Sequence, residues 1–117
     1  MMTQTELRTY YRDRAALRIT EETLAGLREY AAASGDDLER DIAVLEETAR
    51  EQAAALTGRN AEVLATLEAV DDIGRRMELR LHFYRGMEWK EVAAILGVSA
   101  AAVRLRCSRA LQTSVPE

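Results

Sequence analysis

The sequence predicts an all-α protein: an N-terminal antiparallel helical hairpin, coiled-coil-like, followed by a C-terminal helix-turn-helix. Three observations carry this expectation. Only one Pro and six Gly occur in 117 residues, and the rest is rich in Ala, Leu, Glu and Arg, which are good helix formers. Apolar residues recur at helical spacing, and no segment reads as a strand. Gly86, Gly97 and Ser99 fall where short helices would end, turn and restart.

The first helix is read from Leu7, with Tyr10, Leu17, Leu24, Leu27 and Ala31 at helical spacing and Tyr11 and Tyr30 alongside. Ser34-Gly35-Asp36-Asp37 breaks the pattern, and Asp36 or Asp37 can cap the next helix. There Leu38, Ile42, Leu45, Ala49, Leu56, Val63, Leu67 and Val70 form a stripe close to the seven-residue repeat of coiled coils. Unbroken, that helix would be about 50 Å long at about 1.5 Å per residue. At Thr57-Gly58-Arg59-Asn60 the stripe shifts phase, and a Gly inside a helix costs about 1 kcal/mol relative to Ala. Strong helix formers flank this stretch and no Pro intervenes, so one continuous helix is expected, with a bend allowed at Gly58.

Beyond the hairpin, Gly86 can end a helix in a left-handed conformation. Trp89 to Leu96 reads as a short helix with Val92, Ala93, Ile95 and Leu96 as its apolar face. Gly97 makes the turn, Ala93 is small where two helices must cross, Val98 is an apolar plug, and Ser99 caps a helix running to about Gln112. Two short helices joined by a tight turn, with arginines on the second, are the pattern that sets a helix in a DNA groove.

These residues resemble region 4 of bacterial sigma factors. Its pattern of glycine, aromatic, Glu-Ile-Ala, Leu-Gly, Ser, Val, Arg and Arg-Ala is met by Gly86, Trp89, Glu91-Val92-Ala93, Leu96-Gly97, Ser99, Val103, Arg106 and Arg109-Ala110. The hairpin, Asp71-Asp72 and the run M-E-L-R-L-H-F-Y-R-G are similar to the small phage-associated transcription activators of the RinA and ArpU kind. The resemblance implies double-stranded promoter DNA as a partner, and RNA polymerase as a second one. No segment looks like the sigma module that melts promoter DNA, so an activator or adaptor is implied rather than a complete sigma factor.

Charge is divided in the same way as the architecture. Residues 1–72 hold 8 Arg against 16 acids, net −8, whereas residues 73–117 hold 8 Arg or Lys against 4 acids, net +4, within a total of −4. Phosphate binding depends on local basic surface, so a basic C-terminal module can bind DNA beneath an acidic partner domain. Residues 1–70 are accordingly read as a hairpin for oligomerisation, as a homodimer, or for partner binding, and residues 71–117 as the DNA-binding module.

In a recognition helix starting at Ser99, the outward positions are Ala100, Ala101, Arg104, Leu105 and Ser108. Arg104 could reach a guanine edge or a phosphate. Arg106 and Arg109 match the family's arginines and are expected to divide between phosphate contacts and bracing the module. Lys90, Arg85 and the start of the short helix are further phosphate candidates. The Ala100-Ala101-Ala102 triplet brings methyl groups and no hydrogen-bonding side chain, so base discrimination should be modest.

No enzyme is expected. The pairs Glu21-Glu22, Glu46-Glu47 and Asp71-Asp72 are sequence neighbours and do not converge on one helix face. No glycine-rich phosphate loop or nucleophile arrangement is present, and neither a cofactor nor a metal is expected, since His82 lacks companions. Cys107 falls four residues from Val103 and from Leu111 and should pack inward; Trp89 should anchor its helix, and the three hairpin tyrosines should pack rather than stack on bases. One cysteine forms no internal disulfide, and no signal peptide or membrane span is recognisable, so a cytoplasmic protein is expected. Two readings from other classes stay open: a phage packaging protein of small-terminase kind, whose helices drive ring formation, and an interaction module that no longer binds DNA.

Overall fold

The computed structural model describes residues 1–117 as six helices and no strand. They are α1 (Gln4–Ser34), α2 (Glu39–Thr57), α3 (Asn60–Leu67), α4 (Ile73–Leu79), α5 (Trp89–Leu96) and α6 (Ala100–Ser114). Helix α4 runs on into a π-helical turn at Arg80–Tyr84. No helix is long and apolar enough to cross a membrane.

Helix α1 begins before its first apolar residue because Thr3 and Glu6 form a capping box: the Thr3 hydroxyl accepts from Glu6 N–H at 3.1 Å and the Glu6 carboxylate accepts from Thr3 N–H at 3.1 Å. It ends at Gly35, which takes a left-handed φ of 76°. Neither Asp36 nor Asp37 is the cap of α2. Leu38 holds that position, Asp37 accepts from Glu39 N–H at 3.1 Å, and Asp36 accepts instead from the Tyr30 hydroxyl at 2.9 Å.

The expected continuous second helix is broken at Gly58-Arg59, between α2 and α3. Side chains flanking the break are drawn to α1. Arg59 pairs with Asp13 at 2.8 Å, the Tyr10 hydroxyl donates to Asn60 Oδ1 at 2.5 Å, and Arg14 donates to both Tyr10 and Asn60 at 2.8 and 3.0 Å. These bonds hold α3 in its own direction, so the phase shift in the apolar stripe is realised as a turn.

One core runs through the molecule. It unites Met2, Leu7, Tyr10 and Leu17 of the N-terminal segment with Leu56, Val63, Leu67 and Val70, and with Leu79, Phe83, Val92, Ala93, Val103, Cys107, Leu111 and Val115. Each fully buried Val or Leu stabilises the fold by about 1.5–3 kcal/mol. The proximal part of α1 therefore packs on the C-terminal helices, while its distal part pairs only with α2, where Leu38, Ile42, Leu45 and Ala49 are merely half-buried. In α5 only Val92 and Ala93 are buried; Ile95 and Leu96 are exposed, and so is Val98, which plugs nothing. The buried face of α5 is therefore narrower than its periodicity suggests, limited to Val92 and Ala93.

Candidate nucleic-acid interface

Helix α6 has two distinct faces. Val103, Cys107 and Leu111 are buried against the core, whereas Ala101, Arg104, Leu105, Ser108 and Arg109 are exposed. The Ser99 hydroxyl accepts from Ala102 N–H at 3.1 Å, and Gly97 turns the chain with φ 68°. The left-handed turn sets α5 and α6 across one another, and it presents the outward stripe of α6 to solvent.

Behind α6, a buried carboxylate fixes it to α4. Glu78 is 2% exposed and accepts three guanidinium hydrogen bonds from Arg106, at 3.1, 3.1 and 2.5 Å. Arg75 stands 2.7 Å from the same carboxylate as an ion contact, and the Cys107 thiol lies 3.8 Å from it. Burial first, and then this carboxylate, push the Cys107 pKa up to about 12, so the residue is a packed thiol. Of the two roles expected for Arg106, this geometry assigns bracing: its guanidinium faces inward, on Glu78. Of the expected outward residues Ala100 is half-buried, packed against the core.

A second latch joins α1 to α5. Arg18 clamps Glu91 with both guanidinium nitrogens, one at 2.8 Å, and also donates to the Gly86 carbonyl at 3.3 Å. Glu91 in turn accepts from Glu88 N–H at 3.0 Å. The Arg18 hydrogen bonds, aided by that backbone N–H, hold the Glu91 carboxyl down at about 2. Gly86 allows the approach, since its φ is 74° and a Cβ there would lie 2.9 Å from Arg14 Cγ.

A three-ring stack completes the support. The His82 ring lies between Tyr11, at 4.0 Å and 21°, and Trp89, at 3.8 Å and 12°, with Phe83 edge-on to it at 4.8 Å. Its Nδ1–H donates to the Met87 carbonyl at 2.7 Å. The π turn directs the adjacent residues His82 and Phe83 inward together; both are buried. Tyr11 and Trp89 thus serve as packing, as their sequence context suggests, though Tyr11 packs on the C-terminal module rather than within the hairpin.

The remaining candidates lie apart. Lys90 pairs with Glu88 at 3.2 Å and shares a cleft with Glu22 and Glu91. Arg85 lies over the Tyr84 ring at 5.4 Å, in another cleft beside Glu21. Acidic neighbours thus surround Lys90, whereas Arg85, Arg104 and Arg109 have no carboxylate within 4 Å. Glu78, Arg18 and Glu91 escaped the sequence reading as structural partners because nothing local links positions so far apart.

Comparison with known families matches residues 73–113 to sigma-70 region 4. The C-terminal module is a sigma-region-4 helix-turn-helix. The match spans about a third of the chain and takes in α4, the π turn, α5 and nearly all of α6. No curated protein and no solved structure matches the chain. Within this helix-turn-helix the exposed Arg104 and Arg109 stand on the second helix, while the exposed Arg80 and Arg85 precede the motif.

Proposed function

We propose that this protein is a sequence-specific DNA-binding transcription regulator, of phage or mobile-element kind, that acts in the cytoplasm with a host RNA polymerase. Residues 71–117 would hold double-stranded DNA through Ser99, Ala101, Arg104, Leu105, Ser108 and Arg109, with α6 in the major groove. The observation that carries this reading is the exposed, unpartnered pair Arg104 and Arg109 on the helix whose other face is anchored by Val103, Cys107, Leu111 and the Arg106–Glu78 brace. Polymerase enters through the match to sigma region 4, and Ile95, Leu96 and Val98 leave an apolar surface uncovered on the same module. The distal hairpin, with Val44 exposed and Leu45 half-buried, would pair with a second copy to give a homodimer.

Replacing Arg104 should cost about 1–3 kcal/mol and relax sequence preference if it reads a base, while replacing Arg109 should weaken all sequences alike. Unchanged DNA binding by the Arg104→Glu, Arg109→Glu protein sinks the assignment. For the polymerase step, genomic DNA retained by the protein gives the site. At that site holoenzyme should respond to the protein and core enzyme should stay silent. A ring of many subunits with no response from either enzyme would instead support DNA packaging.

A further inference from the structure

Helix α1 carries Gln4, Arg8, Tyr11 and Arg12 on one face, at the spacing of helical neighbours. Opposite them, α6 presents Arg104, Ser108 and Leu111. Between the two stripes, over His82, Phe83 and Trp89, lies an open groove of about 540 Å³. At the groove Gln4 joins the two helices, donating from its side chain to the Val115 carbonyl at 3.0 Å and from its backbone to the Pro116 carbonyl at 2.7 Å.

The charge in this groove is unlike that elsewhere in the chain. No carboxylate lines it, although the protein has 20 acidic residues. Nine of the 16 Lys and Arg have a carboxylate within 4 Å, and Arg14 is held by Tyr10 and Asn60. Arg8, Arg12 and Arg104 have no such partner; Arg8 makes only a 3.4 Å contact with Thr5 on its own helix. Three guanidiniums facing one groove without a counter-charge repel one another, and an anion extended along the groove relieves that repulsion. Arginine matches phosphate oxygens in a fixed fork, and arginines four apart on a helix stand about 5–6 Å apart at their Cβ atoms, which suits a run of phosphates rather than one small anion.

We propose that α1 is part of the nucleic-acid interface: Arg8 and Arg12 grip the phosphate backbone of one strand of the duplex that α6 faces. This rests on the DNA-binding reading of α6. It enlarges the interface beyond the basic C-terminal third, onto a helix whose sequence segment is acidic on average. Of the 16 acids in residues 1–72, six lie toward the hairpin tip, at Asp36, Asp37, Glu39, Asp41, Glu46 and Glu47, and none lines the groove.

The test is the salt dependence of binding to a fluorescein-labelled duplex of mixed sequence, using the full chain. Removing two phosphate contacts in the Arg8→Gln, Arg12→Gln protein should weaken binding and lower the slope of log K against log salt by about 1.8, about 0.9 per contact. The Arg8→Lys, Arg12→Lys protein keeps both charges and should keep the slope, which separates charge from any folding defect. Arg40→Gln at the hairpin tip should change nothing. If the Gln variant retains the full slope while Arg104→Glu, Arg109→Glu abolishes binding, the DNA reading stands and the role of α1 is refuted. If the unaltered protein binds no duplex, both fall together.

Discussion

His82 is held neutral between its two ring neighbours, and the fold becomes sensitive to pH because of it. Burial lowers its pKa to about 4; the bond to the Met87 carbonyl opposes this, and the nearby Arg104 charge adds to it. In the unfolded chain the imidazole titrates near 6.5. The stability gained by burying it neutral is complete above that value and is lost as pH falls from about 6.5 toward about 4, a loss of up to about 3 kcal/mol. Glu91 adds a separate decline below its ordinary carboxylate range, where protonation weakens the Arg18 latch. Urea unfolding between pH 7.5 and 4 should show the first decline, and His82→Phe, which keeps a stacked ring, should flatten it. An unchanged pH slope in that variant would refute the assignment. At this scale the sequence was legible where a residue acts through its own helix: Ser99 as cap, Cys107 as an inward position, Arg104 as an outward one. It was silent on Arg106 with Glu78 and on Arg18 with Glu91, whose pairing depends on how α1, α4, α5 and α6 meet.

Two glycines divide the elements into those that need glycine and one that does not. Gly58 sits between α2 and α3 with φ −73°, and a methyl group in place of its hydrogen would have nothing within 4 Å, so Gly58→Ala should be neutral or stabilise by about 0.4–1 kcal/mol through the unfolded chain. Gly86→Ala must place a side chain at φ 74° and against Arg14, and should destabilise by at least about 1–2 kcal/mol. The urea midpoint should therefore fall for Gly86→Ala and hold or rise for Gly58→Ala; a stabilised Gly86→Ala protein would overturn the close approach of α1 to the turn at Gly86 as the reason for glycine there. The helix-turn-helix boundaries were readable because Gly86, Gly97 and Ser99 signal locally. The break at Gly58 was signalled by the phase shift of the stripe, yet its outcome was decided by Tyr10, Asp13 and Arg14, some 46 to 50 positions away in the chain.

As a whole the molecule is elongated, 53 by 33 by 18 Å, with a radius of gyration of 16.8 Å, against about 13 Å for a compact chain of this length. The excess comes from the hairpin, which extends beyond the shared core with Tyr30 54% and Val44 65% exposed. Self-association through residues 1–70 should appear in light scattering as a dimer, and Val44→Asp or Leu45→Asp should return it to a monomer by placing an unpaired charge on the seam. Leu56, on the same sequence stripe, lies within the core at 1% exposure, so its replacement would unfold the chain rather than separate subunits. A strictly monomeric protein at tens of micromolar would count against the dimer.

The core that joins the first helix to the last also sets an order in time. Met2 N–H donates to Thr66 Oγ1 at 2.9 Å, and Gln4 reaches Val115 and Pro116. Met2 and Tyr10 find Thr66 and Asn60 early, but the core that Leu7 and Leu17 enter is completed only by Val103, Cys107, Leu111 and Val115, supplied late in synthesis. At about 5–20 residues per second, the interval between translating residue 70 and residue 117 is roughly 2 to 9 seconds. During that time the nascent hairpin keeps part of its apolar stripe bare, so crowded ribosomes on one message would bring matching stripes together before either chain has finished its own core.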